Sequence, residues 1–133
     1  MDELRAFADL DGRVALVTGC GSPDGIGFAT ARLLGRQGAK VAITSTTERI
    51  QERVAELGDE GITASGHVAD LTDPDEAARV VAETVEIHGG LDILVNNAGM
   101  SQVGTEDLGR PFAELSPEGW QAGIDQNLHL TAN

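Results

Sequence analysis

Four glycines in the stretch VTGCGSPDGIG have the arrangement of a loop that could bind phosphate groups. Glycine lets the backbone approach a diphosphate closely, and the free N–H groups at the start of a following helix hold its negative charge. The strict dinucleotide spacing G-x-G-x-x-G is absent, because Asp24 stands where the third glycine would fall. The stretch therefore predicts a phosphate-binding loop with an irregular turn, formed by Gly19, Gly21, Gly25 and Gly27.

Apolar runs alternate with amphipathic segments on both sides of this loop. Continuous apolar runs that end in turn residues are typical of strands buried on both faces of a parallel sheet. Strands are predicted at residues 13–19, 40–44, 63–69 and 91–99, and helices at about residues 25–38, 46–57, 73–89 and 116–133. The first helix is expected to carry one apolar side, formed by Ile26, Ala29, Thr30, Leu33 and Leu34.

Capping residues indicate where the helices begin and end. Asp73 is the expected N-cap of the third helix, with Glu76 as its capping-box partner. Thr46 or Thr47 is available as N-cap of the second helix, which is expected to end just before Gly58. These signals divide the chain into a regular β-α-β-α-β-α-β-α order.

Strict alternation of this kind implies right-handed crossovers and a parallel sheet with helices on both faces. The sequence therefore predicts an α/β fold of the doubly wound, Rossmann type. With 133 residues, of which 41% are hydrophobic, the chain has room for one domain, residues 1–133.

The segment TGCGSPDGIG, together with NNAG at residues 96–99, resembles the short-chain dehydrogenase/reductase family. The family usually opens with T-G-x-x-x-G-x-G, and the chain is similar to its 3-oxoacyl-[acyl-carrier-protein] reductase members. Here five residues separate Gly19 from Gly25, which indicates a two-residue insertion at Ser22 and Pro23 or nearby. An alternative register takes Gly21 as the first glycine, with Cys20 in place of Thr. We favour the insertion because RVALVTG already has the expected strand length.

The resemblance implies a cofactor site spread over several turns. Asp70 would contact the adenine ring beside the backbone of Leu71, and the NNAG turn would shape the floor under the ribose and nicotinamide. Asn127 takes the place of the family's catalytic Asn. The implied cofactor-binding residues are Gly19, Gly21, Ser22, Gly25, Ile26, Gly27, Ser45, Thr46, Asp70, Leu71, Asn97, Ala98 and Gly99.

The residues after the second strand bear on the choice of cofactor. An acid at this position would bind the ribose hydroxyls and repel a 2′-phosphate, but the chain has Ser45 there. Ser45, Thr46 and Thr47 are small hydroxyl donors and Arg49 adds positive charge, so NADP(H) is favoured over NAD(H). Asp24 argues against this preference, and an ordinary helix cap is the alternative interpretation of the hydroxyl residues.

Most of the family's catalytic residues are missing. The resemblance implies a Tyr as acid and base, a Lys that lowers its pKa, a Ser that orients a carbonyl, and an Asn that anchors a water relay. The chain has no Tyr, and its single lysine, Lys40, is predicted at the start of the second strand. Truncation after the fourth strand and its following helix is the simplest explanation, so the catalytic assignment here is limited to Asn127.

Composition excludes several classes of partner. The net charge of −13 argues against nucleic acid and anionic membranes, and no apolar run approaches membrane-spanning length. One cysteine cannot form an internal disulfide, and His67, His88 and His129 lie too far apart in sequence for a local metal motif. A cytoplasmic protein without a metal site is expected. The resemblance implies a homo-oligomer, dimer or tetramer, when the chain is full length.

Three functions remain in competition. We favour an NAD(P)(H)-dependent oxidoreductase that transfers hydride between the cofactor and a ketone, 3-oxoacyl group or secondary alcohol. The alternative is a non-catalytic dinucleotide-binding module. A methyltransferase that uses S-adenosylmethionine is a third reading, but the NNAG turn and Asn127 argue against it. The family's strand order 3-2-1-4 would leave the fourth strand at an open edge, so the isolated chain is expected to self-associate.

Overall fold

Four parallel strands form the sheet at the centre of the fold. The computed structural model describes residues 9–99, 112–114, 116–124, 127 and 129–133. The alternation of strands and helices predicted from the sequence is confirmed. In chain order the elements are β1 (Val14–Val17), α1 (Ile26–Arg36), β2 (Lys40–Ser45), α2 (Ile50–Asp59), β3 (Ala64–Val68), α3 (Pro74–His88), β4 (Ile93–Val95), a single 3₁₀ turn (Phe112–Glu114), α4 (Pro117–Ile124) and α5 (Leu130–Ala132).

The strands lie in the order β3-β2-β1-β4, and every neighbouring pair is parallel. Val17, the last residue of β1, is in register with Ile43 of β2 on one side and with Val95 of β4 on the other. The carboxyl ends of these strands therefore meet at one edge of the sheet, where ligands bind in open α/β folds. The predicted strand order and the doubly wound arrangement are confirmed.

The two faces of the sheet pack against different helices. On one face, alternate strand residues such as Val17 and Ile43 contact Phe28 of α1 and Leu57 of α2. On the other face, residues such as Leu16 contact Val80 of α3 within a second, smaller cluster. Because side chains alternate between the faces of a strand and both faces of β1 and β2 are covered, these two central strands are nearly continuous apolar runs, whereas β3 and β4 are only partly buried.

The buried side of α1 differs from the predicted one. Phe28 and Ala31 are buried, whereas Ile26 is 78% exposed and Leu33 is 46% exposed. The expected apolar side is therefore wrong at positions 26, 29 and 33, whereas Leu34 packs against the core as predicted. Gly27 is buried beside Phe28, so the helix lies close to the sheet on its glycine side and buries its bulkiest aromatic residue there. Hydrophobic periodicity alone could not decide whether the side with Ile26 and Leu33 or the side with Phe28 and Ala31 packs on the sheet.

The cap of α3 is only partly as predicted. Asp73 caps the helix as expected, and its carboxylate accepts a hydrogen bond from the N–H of Asp75 at 2.9 Å. Glu76 does not return to Asp73; its carboxylate accepts from the N–H of Asp70 instead. The capping-box prediction is wrong because the N–H of Asp73 already donates to the carbonyl of Asp70 at 3.1 Å.

The ends of α2 also differ from the prediction. The N-cap is Arg49, without a side-chain bond, because the hydroxyl of Ser45 and the backbone of Thr47 close a turn of their own before the helix begins. The predicted threonine cap is therefore wrong. Gly58 lies inside the helix, and Gly61, with φ of +77°, reverses the chain after it.

The strand β4 lies at one end of the described sheet. Within the described residues it pairs with β1 alone, and Leu94 is 54% exposed. An apolar cavity of about 390 Å³ opens beside it, lined by residues that include Leu16, Leu71 and Val80. In the part of the chain that the structure describes, no helix has the length and apolar character to cross a membrane.

Candidate functional site

The glycine loop is tied to the neighbouring strands along its first three residues. The N–H of Thr18 donates to the carbonyl of Val95 at 3.1 Å. The N–H of Gly19 donates to the hydroxyl of Thr44 at 3.3 Å, and the N–H of Cys20 donates to the carbonyl of Thr44 at 2.7 Å. The loop is therefore held at the carboxyl edge of the sheet by both β2 and β4.

Two glycines of the loop have no room for a side chain. Gly19 has φ of +73°, and a Cβ there would lie 2.7 Å from the Cα of Ala98. A Cβ on Gly27 would lie 2.5 Å from Nδ2 of Asn97 and 2.5 Å from the carbonyl oxygen of Gly19. Because these neighbours are backbone atoms or a bonded amide, the glycines are required for the close contact between α1, the loop and the turn after β4.

Thr18 and Asn97 join the loop to the NNAG turn. The amide Nδ2 of Asn97 donates to the carbonyls of Thr18 and Gly19, each at 3.1 Å. In return, the hydroxyl oxygen of Thr18 accepts from the N–H groups of Asn97 at 3.1 Å and Ala98 at 2.9 Å. The two motifs that carried the sequence argument, 79 residues apart, thus form one connected unit.

The start of α1 leaves backbone N–H groups for a ligand. Its N-cap, Gly25, has no side chain to bond them, and the first turn contains no acidic residue. The first N–H groups of a helix have no partner within the helix, and the helix dipole favours negative charge there. This end of α1, beginning at Ile26, can therefore hold an anionic group such as a diphosphate.

Residues 22–24 of the loop form an exposed turn. The N–H of Gly25 donates to the carbonyl of Ser22 at 3.3 Å, and the N–H of Asp24 lies 3.4 Å from the hydroxyl of Ser22. Ser22, Pro23 and Asp24 are all exposed. The structure thus accommodates the irregular spacing outside the packed part of the loop, where it leaves the contacts of Gly19 and Gly27 intact.

Two arginines of the second βα unit meet Gly21. A Cβ on Gly21 would lie 2.6 Å from Nε of Arg49, so the exposed Arg49 side chain lies directly against the loop. Arg53 approaches from the buried side, and its Nη1 donates to the carbonyl of Gly21 at 3.3 Å. Among the ion pairs of the described residues none involves the Arg49 side chain, which leaves its charge available beside the loop.

The hydroxyl residues after β2 have different environments. Ser45 is buried, and its hydroxyl donates to the carbonyl of Thr47 at 2.6 Å. Thr46 is exposed at the same edge of the sheet. Of the two residues predicted to contact the cofactor here, Thr46 thus has an accessible hydroxyl, whereas the hydroxyl of Ser45 is already hydrogen-bonded within the turn.

The remaining predicted residues lie at the same sheet edge or beside it. Asp70 is the second residue after β3, and its Oδ1 accepts from the N–H and hydroxyl of Thr72 at 3.0 and 2.6 Å; Leu71 is buried. Asn127 lies against the NNAG turn, since a Cβ on Gly99 would be 2.8 Å from its Oδ1. The structure therefore places Asn127 beside the NNAG turn, a proximity that the sequence did not indicate.

The lone cysteine is not a reactive group. Cys20 is fully buried, and burial raises the pKa of its thiol to about 12. Its Sγ lies 3.3 Å from the carbonyl of Val17. A thiol with such a pKa stays protonated at neutral pH, so Cys20 packs the loop and supplies no nucleophile. No cluster of metal-binding side chains occurs among the residues the structure describes.

Two histidines that are distant in sequence share a hydrogen-bond chain. Nδ1 of His67 lies 2.7 Å from the carboxylate of Glu83, and the hydroxyl of Ser65 lies 2.9 Å from Nε2 of His67 and 2.8 Å from Nε2 of His88. An ionised carboxylate only accepts, so the chain runs from His88 through Ser65 and His67 to Glu83. The spacing of the histidines did not indicate this cluster, which joins β3 to α3.

Two residues at the loop were absent from the sequence prediction. Thr18 directly follows the buried strand β1, and it is itself buried, a place where a polar side chain needs a partner. Arg53 shares the buried side of α2 with Ile50 and Leu57, at helical spacing. A charged residue on an apolar helix side is the signal that could have identified Arg53.

Comparison with known proteins gives one consistent result. The family model of the short chain dehydrogenases matches residues 13–132. The chain is 39% identical over 128 residues to dehydrogenase/reductase SDR family member 4 of Bos taurus, covering 92% of this chain and 42% of that protein. It is 42% identical over 118 residues to the monensin polyketide synthase putative ketoacyl reductase of Streptomyces virginiae, covering 88% of this chain and 42% of the relative.

A solved structure agrees with these relatives. A short chain dehydrogenase from Burkholderia cenocepacia J2315, in complex with NADP, superposes with a TM-score of 0.75 at 39% identity. The superposition covers 92% of this chain and 47% of that one. The 133-residue chain thus spans less than half the length of the curated relatives and the structure it matches.

Proposed function

We propose that this chain, which belongs to the short chain dehydrogenase family, carries the dinucleotide-binding part of an NAD(P)(H)-dependent oxidoreductase. One observation carries the proposal: the glycine loop and the NNAG turn are joined through Thr18 and Asn97 beside a helix whose N-cap has no side chain. The diphosphate would lie on the N–H groups at the start of α1, with the ribose and nicotinamide extending toward Asn97, Ala98 and Gly99.

The preferred cofactor in this proposal is NADP(H). Arg49 lies against Gly21, is exposed and has no ion-pair partner in the described chain, so it can bind a 2′-phosphate beside the exposed hydroxyl of Thr46. Arginine suits phosphate because its guanidinium donates several hydrogen bonds in one plane. The NADP in the similar Burkholderia structure supports this choice. At the other end of the adenosine, Asp70 and the Leu71 backbone would border the adenine ring.

Arg49→Gln tests the cofactor preference. The variant should weaken NADPH binding about tenfold, the loss of about 1.4 kcal/mol, and leave NADH binding unchanged, because NADH has no 2′-phosphate. Fluorescence titration with both nucleotides measures this. Arg36→Gln is the matched control, since Arg36 is bonded to Glu60 and has no contact with the loop. Equal loss for both nucleotides would refute the role of Arg49 as a selector.

The reaction proposed for the whole protein is hydride transfer between the nicotinamide and a ketone, a 3-oxoacyl group or a secondary alcohol. The bound cofactor supplies or accepts the hydride, while residues of this chain hold it and exclude other orientations. Asn127 is the proposed catalytic residue, on the strength of its position against Gly99. The ketoacyl reductase name of the Streptomyces relative supports the 3-oxoacyl class.

The protein expressed from its complete reading frame provides the test. We expect it to bind NADPH and to oxidise it, with loss of absorbance at the nicotinamide band, when a small 3-oxoacyl thioester or ketone is added. The chain contains no Tyr and one Lys, an observation that favours a binding module as second candidate. NADPH binding without turnover of any carbonyl substrate would favour that module, and absence of NADPH binding would overturn both.

The proposal also covers the oligomeric state and the cellular location of the complete protein. We expect the complete protein to form a homo-oligomer and to work in the reducing cytoplasm, where the single buried thiol of Cys20 needs no partner. Light scattering of the purified protein and fractionation of the source cells would check these expectations.

A further inference from the structure

Arg53 is a charged residue on the buried side of α2. Its side chain is 7% exposed, and it lies between Ile50 and Leu57 in the stripe that packs on the sheet. Burial of a guanidinium is costly unless its charge and its donors find partners. The contacts of Arg53 therefore show why the chain accepts a charge at this position.

Carboxylates satisfy only one side of the Arg53 guanidinium. Nη2 lies 2.6 Å from Glu56 and 3.3 Å from Glu52, two partners on its own helix. Nη1 points the other way and donates to the carbonyl of Gly21 in the glycine loop at 3.3 Å. Nε is buried without a hydrogen-bond partner, so the side chain is not placed to maximise its own bonding. An arginine at an exposed position of α2 could form ion pairs with Glu52 and Glu56 equally well, so these pairs do not explain why Arg53 is buried.

Gly21 is the point at which the loop leaves the sheet. The residue before it, Cys20, is still bonded to Thr44 of β2, whereas the next bonds of the loop, from Asp24 and Gly25, return to Ser22. In the described structure, the hydrogen bond from Arg53 is thus the last one that connects the loop to the rest of the fold before the exposed turn. The direction in which the exposed turn leaves the sheet therefore depends on the orientation of the Gly21 carbonyl.

We propose that Arg53 is a positioning residue of the dinucleotide site, which rests on the proposed function. Its guanidinium fixes the peptide of Gly21 and thereby the path of the loop into the helix start that receives the diphosphate. Arg49, four residues earlier, packs on the same glycine from the exposed side. The two arginines therefore have separable tasks: Arg49 selects the 2′-phosphate, while Arg53 affects every dinucleotide alike.

The test is Arg53→Met in the protein expressed from its complete reading frame, titrated with NADPH and with NADH. Methionine keeps the apolar stem but donates no hydrogen bond. We expect the dissociation constants of both nucleotides to rise about tenfold or more, with the number of binding sites per chain unchanged. Arg53→Lys retains a donor and should recover part of the affinity.

Arg32→Met is the matched control. The guanidinium carbon of Arg53 lies 5.7 Å from the centroid of the Phe28 ring, and that of Arg32 lies 4.6 Å from the same centroid. Arg32 pairs with Glu60 and not with the loop. This variant should bind both nucleotides as the unchanged protein does. Should Arg53→Met fail to fold, Glu56→Gln removes the strongest ion pair of Arg53 and keeps its bond to Gly21, so it should leave both dissociation constants unchanged while Arg53→Lys raises them.

Three outcomes would overturn the proposal. Unchanged dissociation constants in Arg53→Met or Arg53→Lys would show that the bond to Gly21 does not matter for binding. Fewer sites of unchanged affinity would reveal a merely structural role. Loss of NADPH binding alone, with NADH unaffected, would make Arg53 a second selector of the 2′-phosphate. Failure of the unchanged protein to bind either nucleotide would instead refute the proposed function on which this inference rests.

Discussion

Two strand-to-helix turns of this fold end in an N-cap residue of extended backbone but have opposite chemistry. The turn from β1 to α1 ends at Gly25, which caps the helix without a side chain and precedes a first turn free of acids. The turn from β3 to α3 ends at Asp73, whose carboxylate accepts from the backbone, and two further acids follow in the first turn. Both turns follow a parallel strand at the same edge of the sheet.

The difference separates stability from ligand binding. At the start of α3 the carboxylate of Asp73 accepts from the N–H of Asp75, the acids there complement the helix dipole, and their charge repels an anion. At the start of α1 no acidic side chain binds the free N–H groups, so they can bind a ligand. The loop before this helix is held by the neighbouring strands. One helix start is complete without a ligand, whereas the other, beginning at Gly25, is available to a phosphate.

The largest expected effect comes from breaking the loop at Gly19. Gly19→Ala should abolish the contact with the NNAG turn, because the new Cβ would meet the backbone of Ala98 in a strained conformation. We expect NADPH affinity to fall about a hundredfold or more, together with a clear loss of thermal stability. Gly61→Ala is the matched control, since Gly61 has a similar φ of +77° but open space around it. Similar NADPH affinities in the two variants would contradict the assigned role of the contact.

Exchanging the caps sharpens the comparison. Gly25→Asp places a carboxylate at the start of α1, where the extended backbone, with φ of −80°, accepts any residue. It should weaken NADPH binding about tenfold by repelling the diphosphate and competing for its N–H groups. The reciprocal Asp73→Ala should cost about 1 kcal/mol in the free energy of unfolding and leave NADPH affinity unchanged. Chemical denaturation and fluorescence titration of both variants give the two readouts, and tighter NADPH binding by Gly25→Asp would disprove the comparison.

The smallest expected effect is a pH dependence confined to the α3 side. Burial lowers the pKa of His88 below its usual value, and the nearby charges of Lys40 and His67 lower it further. The unfolded chain therefore binds this proton more readily than the folded one, so stability is full above about pH 6.5 and falls as the pH decreases toward the folded pKa. His88→Gln should flatten this slope in melting curves between pH 8 and about pH 5.

A matched substitution isolates the contribution of His88. Ser65→Ala removes the hydroxyl bonded to Nε2 of His88 but keeps the buried imidazole, so this variant should retain a slope. The pKa of Glu83 is lowered mainly by its hydrogen bond to His67, and its contribution is lost only at more acidic pH, as the pH falls through that lowered value. An unchanged slope in His88→Gln would show that burial of His88 does not govern the pH response.

The sequence was sufficient for the alternation of strands and helices, because that alternation depends on local patterns, and the strand order followed from the family resemblance. It was insufficient for the buried side of α1, where Ile26 and Leu33 competed with Phe28, and for the start of α2, where Ser45 and Thr47 formed their own turn. In both cases local propensity allowed two solutions, and contacts with other elements selected one.

The sequence by itself determined the local features of the chain. Glycines stand where the chain must turn sharply, apolar runs form the strands buried on both faces, and an acid caps α3. Only the tertiary structure decided which distant groups complete the site. Thr18 meets Asn97 across 79 residues, and Arg53 reaches Gly21 across 32. Neither contact has a local signature, because each arises when parallel strands bring their carboxyl ends to one edge and the helices pack on the sheet.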